Sequence, residues 1–233
     1  MDFFNSIGEQ IYYNLIYKDR YMYILQGLGT TLQITAFAVV IGIFIGVLIA
    51  MIKFASKGNK KLKVFEIIAN IYLTVIRGTP AVVQLFIMYY VILGTSGADK
   101  VTAAIFAFGI NSGAYIAEIV RSGILSVDKG QMEAGRSLGL SYKTTMFKII
   151  FPQALKNIIP ALCNEFIALL KETSVAGFIG VMDLSKAGDV IRSQTYEALV
   201  PLLVVAAIYL MFVAGLSALL SKFERRLRKS DIR

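Results

Sequence analysis

VFEIIANIYLTVIRGTPAVVQLFIMYYVILG, residues 64–94, is an apolar run interrupted near its middle by Gly78, Thr79 and Pro80. Each half is about 13–16 residues, or ~20–24 Å of helix at 1.5 Å per residue, too short to cross ~30 Å of hydrocarbon alone. Joined, the halves make one long helix kinked at Pro80. How this run is counted decides the topology of the whole chain.

The charge distribution tests the count. With the run taken as one crossing, five spans result, at about 21–52, 62–94, 100–125, 156–180 and 197–221. Segments 53–63, 121–157 and 222–233 then share a side and hold 17 of the 24 Lys and Arg residues. Splitting the run would send the middle cluster to the opposite face. The positive-inside rule therefore favours five spans, with the N-terminus outside and the C-terminus in the cytoplasm.

The composition agrees. The 233 residues are 57% hydrophobic and 17% charged, with mean hydropathy +0.68, far from a soluble domain or a disordered chain. There is no His and a single Cys, Cys163, which excludes a His-dependent triad, a His-ligated metal site and an internal disulfide. The net charge of +9 reports membrane orientation and gives no reason to invoke nucleic acid.

The N-terminus has no basic region of the signal-peptide kind. Phe4, Ile7, Ile11 and Leu15 recur at helical spacing, so residues 1–20 are expected to form an interfacial helix on the outer surface. In the first span Ala38, Gly42, Gly46 and Ala50 form a stripe of small residues, a surface for close helix approach without chemistry of its own.

The cytoplasmic segment 126–152 is too polar to cross and too patterned for a slack linker. Met132, Ala134 and Gly135 fit a short helix, Gly139 suits its C′ position, Ser141 can cap a second helix, and Pro152 starts the climb back into the bilayer. A short helix projecting from a membrane protein is shaped to enter a cleft on a partner.

This segment resembles the EAA loop of ATP-binding-cassette importer permeases: Glu-Ala-Ala, three residues, Gly, nine residues, Ile, one residue, Leu-Pro. Glu133, Ala134, Gly135, Gly139, Ile149, Phe151 and Pro152 keep the spacing. Gly135 and Phe151 depart from it, and Gly135 is expected to weaken the short helix by up to ~1 kcal/mol. Arg77-Gly78-Thr79-Pro80, Asn111 to Tyr115, Asn164-Glu165-Phe166 and Leu170 to Ser174 are similar to permeases of polar amino acid importers, from about Gly27 to Leu220.

The resemblance implies an all-α, five-span type I (MetI-like) permease bundle forming a single domain. It implies a second permease subunit, a copy or a paralogue. It also implies two cytoplasmic ATPases docked on Gln131, Glu133, Ala134, Gly135, Arg136, Ser137, Leu138 and Gly139, and an extracytoplasmic protein that delivers the amino acid. The chain contains no Gly-rich loop ending in Gly-Lys-Ser/Thr, so ATP and Mg belong to the partner ATPases, and no cofactor or metal is expected in this chain.

Polar side chains at membrane depth are candidates for the substrate path. Helical rise puts Asn111 ~16 Å below the outer surface, and Glu165 ~12 Å and Arg77 ~20 Å above the inner one. Arg77 suits bidentate capture of a carboxylate and Glu165 suits an ammonium group; a structural Arg77–Glu165 pair is the alternative. Asn111, Tyr115 and Glu118 share a face, as do Glu165, Leu169 and Glu172. Thr79, Ser112 and Asn164 complete the candidates. Gln84 either faces the path or bonds between helices, Glu118 and Arg121 pair near the cytoplasmic surface, and Lys171 and Glu172 snorkel outward. A lone channel or secondary transporter, and a membrane enzyme, are the competing functions.

Overall fold

The structure is a computed structural model that describes residues 8–56 and 60–228. Helices joined by short turns make up the described residues, with no strand among them. We number the helices α1 (Tyr21–Ser56), α2 (Lys63–Gly78), α3 (Ala81–Phe86, continued by a π turn to Ile92), α4 (Lys100–Leu125), α5 (Lys129–Ser137), α6 (Tyr142–Thr145), α7 (Phe151–Glu172), α8 (Leu184–Thr195) and α9 (Leu199–Arg228).

The centre of the bundle is the α1–α4 pair. The expected stripe is its cause: Ala38, Gly42, Gly46 and Ala50 are all buried. A Cβ on Gly42 would stand 3.1 Å from the Ser112 side chain, and one on Gly46 only 2.5 Å from Ile116 Cγ2. α4 returns the fit with Gly109 and Gly113 against Ile41 and Ile45. Where both helices lack side-chain bulk the backbones approach, and dispersion replaces the hydrophobic drive that lipid cannot supply. α7 packs on α4 through Ala154 and Ile158, which share a buried cluster with Ala50, Ile116 and Val120.

The run 64–94 is not one kinked helix. α2 and α3 meet at 109°, a break rather than a bend. Pro80 lacks an N–H and forces its predecessor extended, and Thr79 accordingly sits at φ −120°, ψ 145°. Length and apolarity single out three crossings among the described residues, α1, α4 and α9, and a fourth if the broken pair counts as one. The expected fifth falls to α7, whose 22 residues are long enough but carry Lys156, Glu165, Lys171 and Glu172. α7 also stops at Glu172, earlier than the expected 180, and continues as 3₁₀ turns over Thr173–Ile179.

α8 lies between the last two expected spans, where no element was expected. Its amphipathic face, Leu184, Ala187, Gly188 and Ile191, is buried. Asp183 caps it by accepting from the backbone N–H groups of Ser185 and Lys186, and burial pushes that carboxyl up to about 6. A Cβ on Gly27 of α1 would lie 2.6 Å from the Asp183 carbonyl oxygen, so the cap packs directly on the first span. On the opposite face Asp189 pairs with Lys186 at 2.8 Å and with Arg192 at 2.6 Å, and both cations hold its carboxyl below the usual range.

Within the expected interfacial segment, Phe4 and Ile7 lie outside the described residues. From residue 8 the chain is helical but fastened to the end of α8. Asn14 is fully buried and donates to Glu197 Oε2 at 3.1 Å. Arg20 donates to the Tyr13 carbonyl at 2.6 Å and to Gln194 Oε1 at 3.3 Å, and lies over the Tyr13 and Tyr17 rings. Ile11, Tyr12, Ile16 and Tyr17 remain exposed.

Candidate functional site

The break between α2 and α3 organises the polar groups of the bundle. A helix that ends leaves its last carbonyls without partners. Here side chains take two of them. Thr79 Oγ1 donates to the Val75 carbonyl at 2.8 Å, and Gln84 Nε2 donates to the Ile76 carbonyl at 2.8 Å. The same amide nitrogen reaches Thr79 Oγ1 at 2.8 Å and the Thr79 carbonyl at 3.1 Å. Gln84 Oε1 accepts from Asn111 Nδ2 of α4 at 2.9 Å. Of the two readings of Gln84, the interhelical one describes this geometry.

Arg77 occupies the last turn of α2, where a cation complements the helix dipole. Its guanidinium lies over the Tyr115 ring, 5.9 Å from the centroid, and its Nη1 is 3.9 Å from Glu118 Oε2. The alternative of an Arg77–Glu165 pair is not met; Arg77 pairs instead with Glu118. Glu118 is also held by Arg121, which donates from Nε at 2.9 Å and from Nη2 to the other oxygen. The i, i+3 spacing on one helix makes that second pairing the tighter one. Two guanidiniums therefore share one carboxylate, and Arg77, 45% exposed, holds the looser contact.

Glu165 finds a different partner. Its Oε1 accepts from Ser112 Oγ at 2.8 Å, joining α7 to α4. Ser112 and Asn111 are buried, Tyr115 is exposed, and Glu165 is half-buried. Asn164 and Glu172 are exposed on α7, whereas Leu169 is wholly enclosed in the core with Phe108 and Leu85. Down α4 the order is Asn111 with Gln84, Ser112 with Glu165, then Tyr115 and Glu118 with Arg77. Sequence missed Glu118 as the partner of Arg77, because spacing along α4 pairs it only with Arg121 and carries no signal for a cation from α2.

The cytoplasmic loop folds as its caps prescribe. Asp128 caps α5 by accepting from Gly130 N at 2.6 Å, and Ser141 caps α6 by accepting from Thr144 N at 3.1 Å. Gly139 has φ +81°. Its N–H bonds the Arg136 carbonyl at 3.0 Å and the Leu140 N–H bonds the Gly135 carbonyl at 3.1 Å, a Schellman stop. Beside its propensity cost, Gly135 has a packing role. A Cβ there would meet Thr145 Cγ2 at 2.5 Å, so its smallness lets α6 close on α5. Gln131 accepts from Gln153 of α7 at 3.3 Å, and Arg136 donates to the Leu140 carbonyl at 2.9 Å. Glu133, Ala134 and Ser137 are exposed, and Leu138 at the turn is 82% exposed.

The family model described as binding-protein-dependent transport system inner membrane component matches residues 38–229. The chain belongs to that family. Transport-family relatives cover nearly its whole length. It is 37% identical to the arginine transport system permease protein ArtQ of Bacillus subtilis over 90% of this chain and 94% of that one. It is 37% identical to the putative glutamine transport system permease protein GlnP of Rickettsia bellii, covering 92% and 97%. A solved structure described as an amino acid ABC transporter with histidines aligns with a TM-score of 0.82 at 44% identity, covering 91% of this chain and 97% of that one. The methionine transporter MetNI, at 20% identity and a TM-score of 0.73, shares the fold. The type I permease architecture follows, as does a multi-pass membrane component that is not itself an enzyme.

Proposed function

We propose that this chain is the permease subunit of an ATP-binding-cassette importer for a polar or charged amino acid. It lines the path with a second permease subunit, a copy or a paralogue, and receives substrate from an extracytoplasmic binding protein. Two ATPases holding ATP and Mg dock on the segment Gln131–Gly139. The observation that carries the substrate site is the two-to-one arginine–glutamate cluster at the break. Two guanidiniums sharing one carboxylate leave a net positive charge that can recruit an anion. A substrate α-carboxylate fits the planar fork of Arg77, and Glu165 receives the ammonium end from α7.

The test is uptake competition among the twenty amino acids in vesicles holding the complete complex. A small set of polar or charged amino acids should compete, and uptake should require ATP. Uptake by this chain without an ATPase would support a lone channel and overturn the proposal.

In the proposed topology α7 is the remaining crossing, the N-terminus is outside and the C-terminus is cytoplasmic. In a Cys163→Ala background, a cysteine at Gly97 or Asp189 should react with an impermeant thiol reagent in intact cells, and one at Gly130 should not. Labelling at position 130 from outside would contradict this orientation.

A further inference from the structure

We infer that Gln84 is a positioning residue: its carboxamide latches the α2–α3 break to α4 and thereby fixes where Arg77 stands. This inference rests on the reading of Arg77 as the carboxylate site. Asn111 was a candidate for the substrate path and Gln84 for either the path or an interhelical bond; their amide groups are engaged with each other. The Gln84 nitrogen has two hydrogens and three acceptors around it, from Ile76 and Thr79, and its oxygen takes the Asn111 amide at 2.9 Å.

The placement of these acceptors gives the latch its consequence. The Ile76 carbonyl immediately precedes Arg77, and Thr79 follows it by two residues. Both anchor points of the Arg77 turn are thus held by one side chain reaching back from α3. The other end of that side chain is tied to Asn111, 3% exposed on the most enclosed stretch of α4. Tyr115, on which the Arg77 guanidinium lies, is one turn further along the same helix. α4 therefore registers Arg77 twice, through the ring beneath it and through the amide pair above it. Without the latch, the extended Thr79-Pro80 hinge loses the bonds that hold α2 at 109° to α3.

Gln84→Leu removes all four contacts at nearly constant volume. In proteoliposomes holding the complete importer, amino acid transported per ATP hydrolysed should fall about tenfold, while complex yield and stimulation of ATP hydrolysis by the loaded binding protein fall far less. Adding Arg77→Lys to Gln84→Leu should cost little more, because the guanidinium is already displaced; losses that multiply would overturn the latch. Parallel loss of transport and ATP hydrolysis in assembled complex would also overturn it. Should Gln84→Leu fail to assemble, Gln84→Glu, which keeps the shape and loses the donor, is read in the same way. Impaired Arg77→Lys beside a normal Gln84 variant refutes the latch alone. Normal Arg77→Lys refutes the carboxylate reading itself.

Discussion

Gly139→Pro should abolish ATP-driven uptake, by about a hundredfold or more, while leaving the chain in the membrane. Gly139 holds φ +81°, a left-handed conformation closed to proline, whose ring fixes φ near −65°. The substitution also removes the N–H that bonds the Arg136 carbonyl. With the stop gone, the turn that carries Leu138 and returns the chain to α6 cannot form. None of this touches the α1–α4 core, so membrane insertion should persist. Glu133→Lys, which reverses a charge on the exposed face of α5, should act in the same direction without disturbing the turn. Copurification of the ATPase and ATP-dependent uptake are the measurements. Wild-type uptake by a Gly139→Pro complex with ATPase bound would remove the docking role of this loop.

Arg77→Lys should weaken capture of the amino acid about tenfold, the consequence of losing one well-formed charge-assisted hydrogen bond. Lysine keeps the charge and its pairing with Glu118 but has no planar fork for a carboxylate. A purely structural Arg77 behaves differently, and its partner identifies the test. Because Arg77 lies 3.9 Å from Glu118 and not against Glu165, the informative double variant is Arg77→Gln/Glu118→Gln. If pairing alone mattered, each single variant would lower the yield of folded protein and the double would recover part of it. Glu118→Gln is the harsher single change, since it leaves Arg121 unpaired as well. Glu165→Gln should reduce transport from the ammonium end while sparing Arg77 and Glu118.

The particular residues explain what sequence could and could not tell. The small-residue stripe, the Gly139 stop and the Ser141 cap depend on a few residues each, and all three were legible because local sterics and local hydrogen bonds determine them. The break at Pro80 was legible as an interruption but not as an angle. Where the 109° turn sits against the bundle also involves Gln84 bonding Asn111, 27 residues away on another helix, a tertiary contact with no local signature. Glu118 was assigned to Arg121 by spacing, correctly, but its second guanidinium arrives from α2 and no spacing rule reports it. α8 was missed because its burial is supplied by α1 and α9, and a short helix with Lys186, Asp189 and Arg192 on its open face reads as an ordinary charged loop. Gly135 looked like a cost in propensity because Thr145, the side chain that needs the space, belongs to the next helix.

In the proposed site the guanidinium at the break takes the substrate carboxylate. Equilibrium dialysis of the transported amino acid against purified permease–ATPase complex, with the binding protein absent, measures that contact alone. The wild-type complex should bind the amino acid saturably, and an equally well assembled Arg77→Lys complex at least about tenfold more weakly. Equal binding by the two complexes would rule out the contact between Arg77 and the carboxylate.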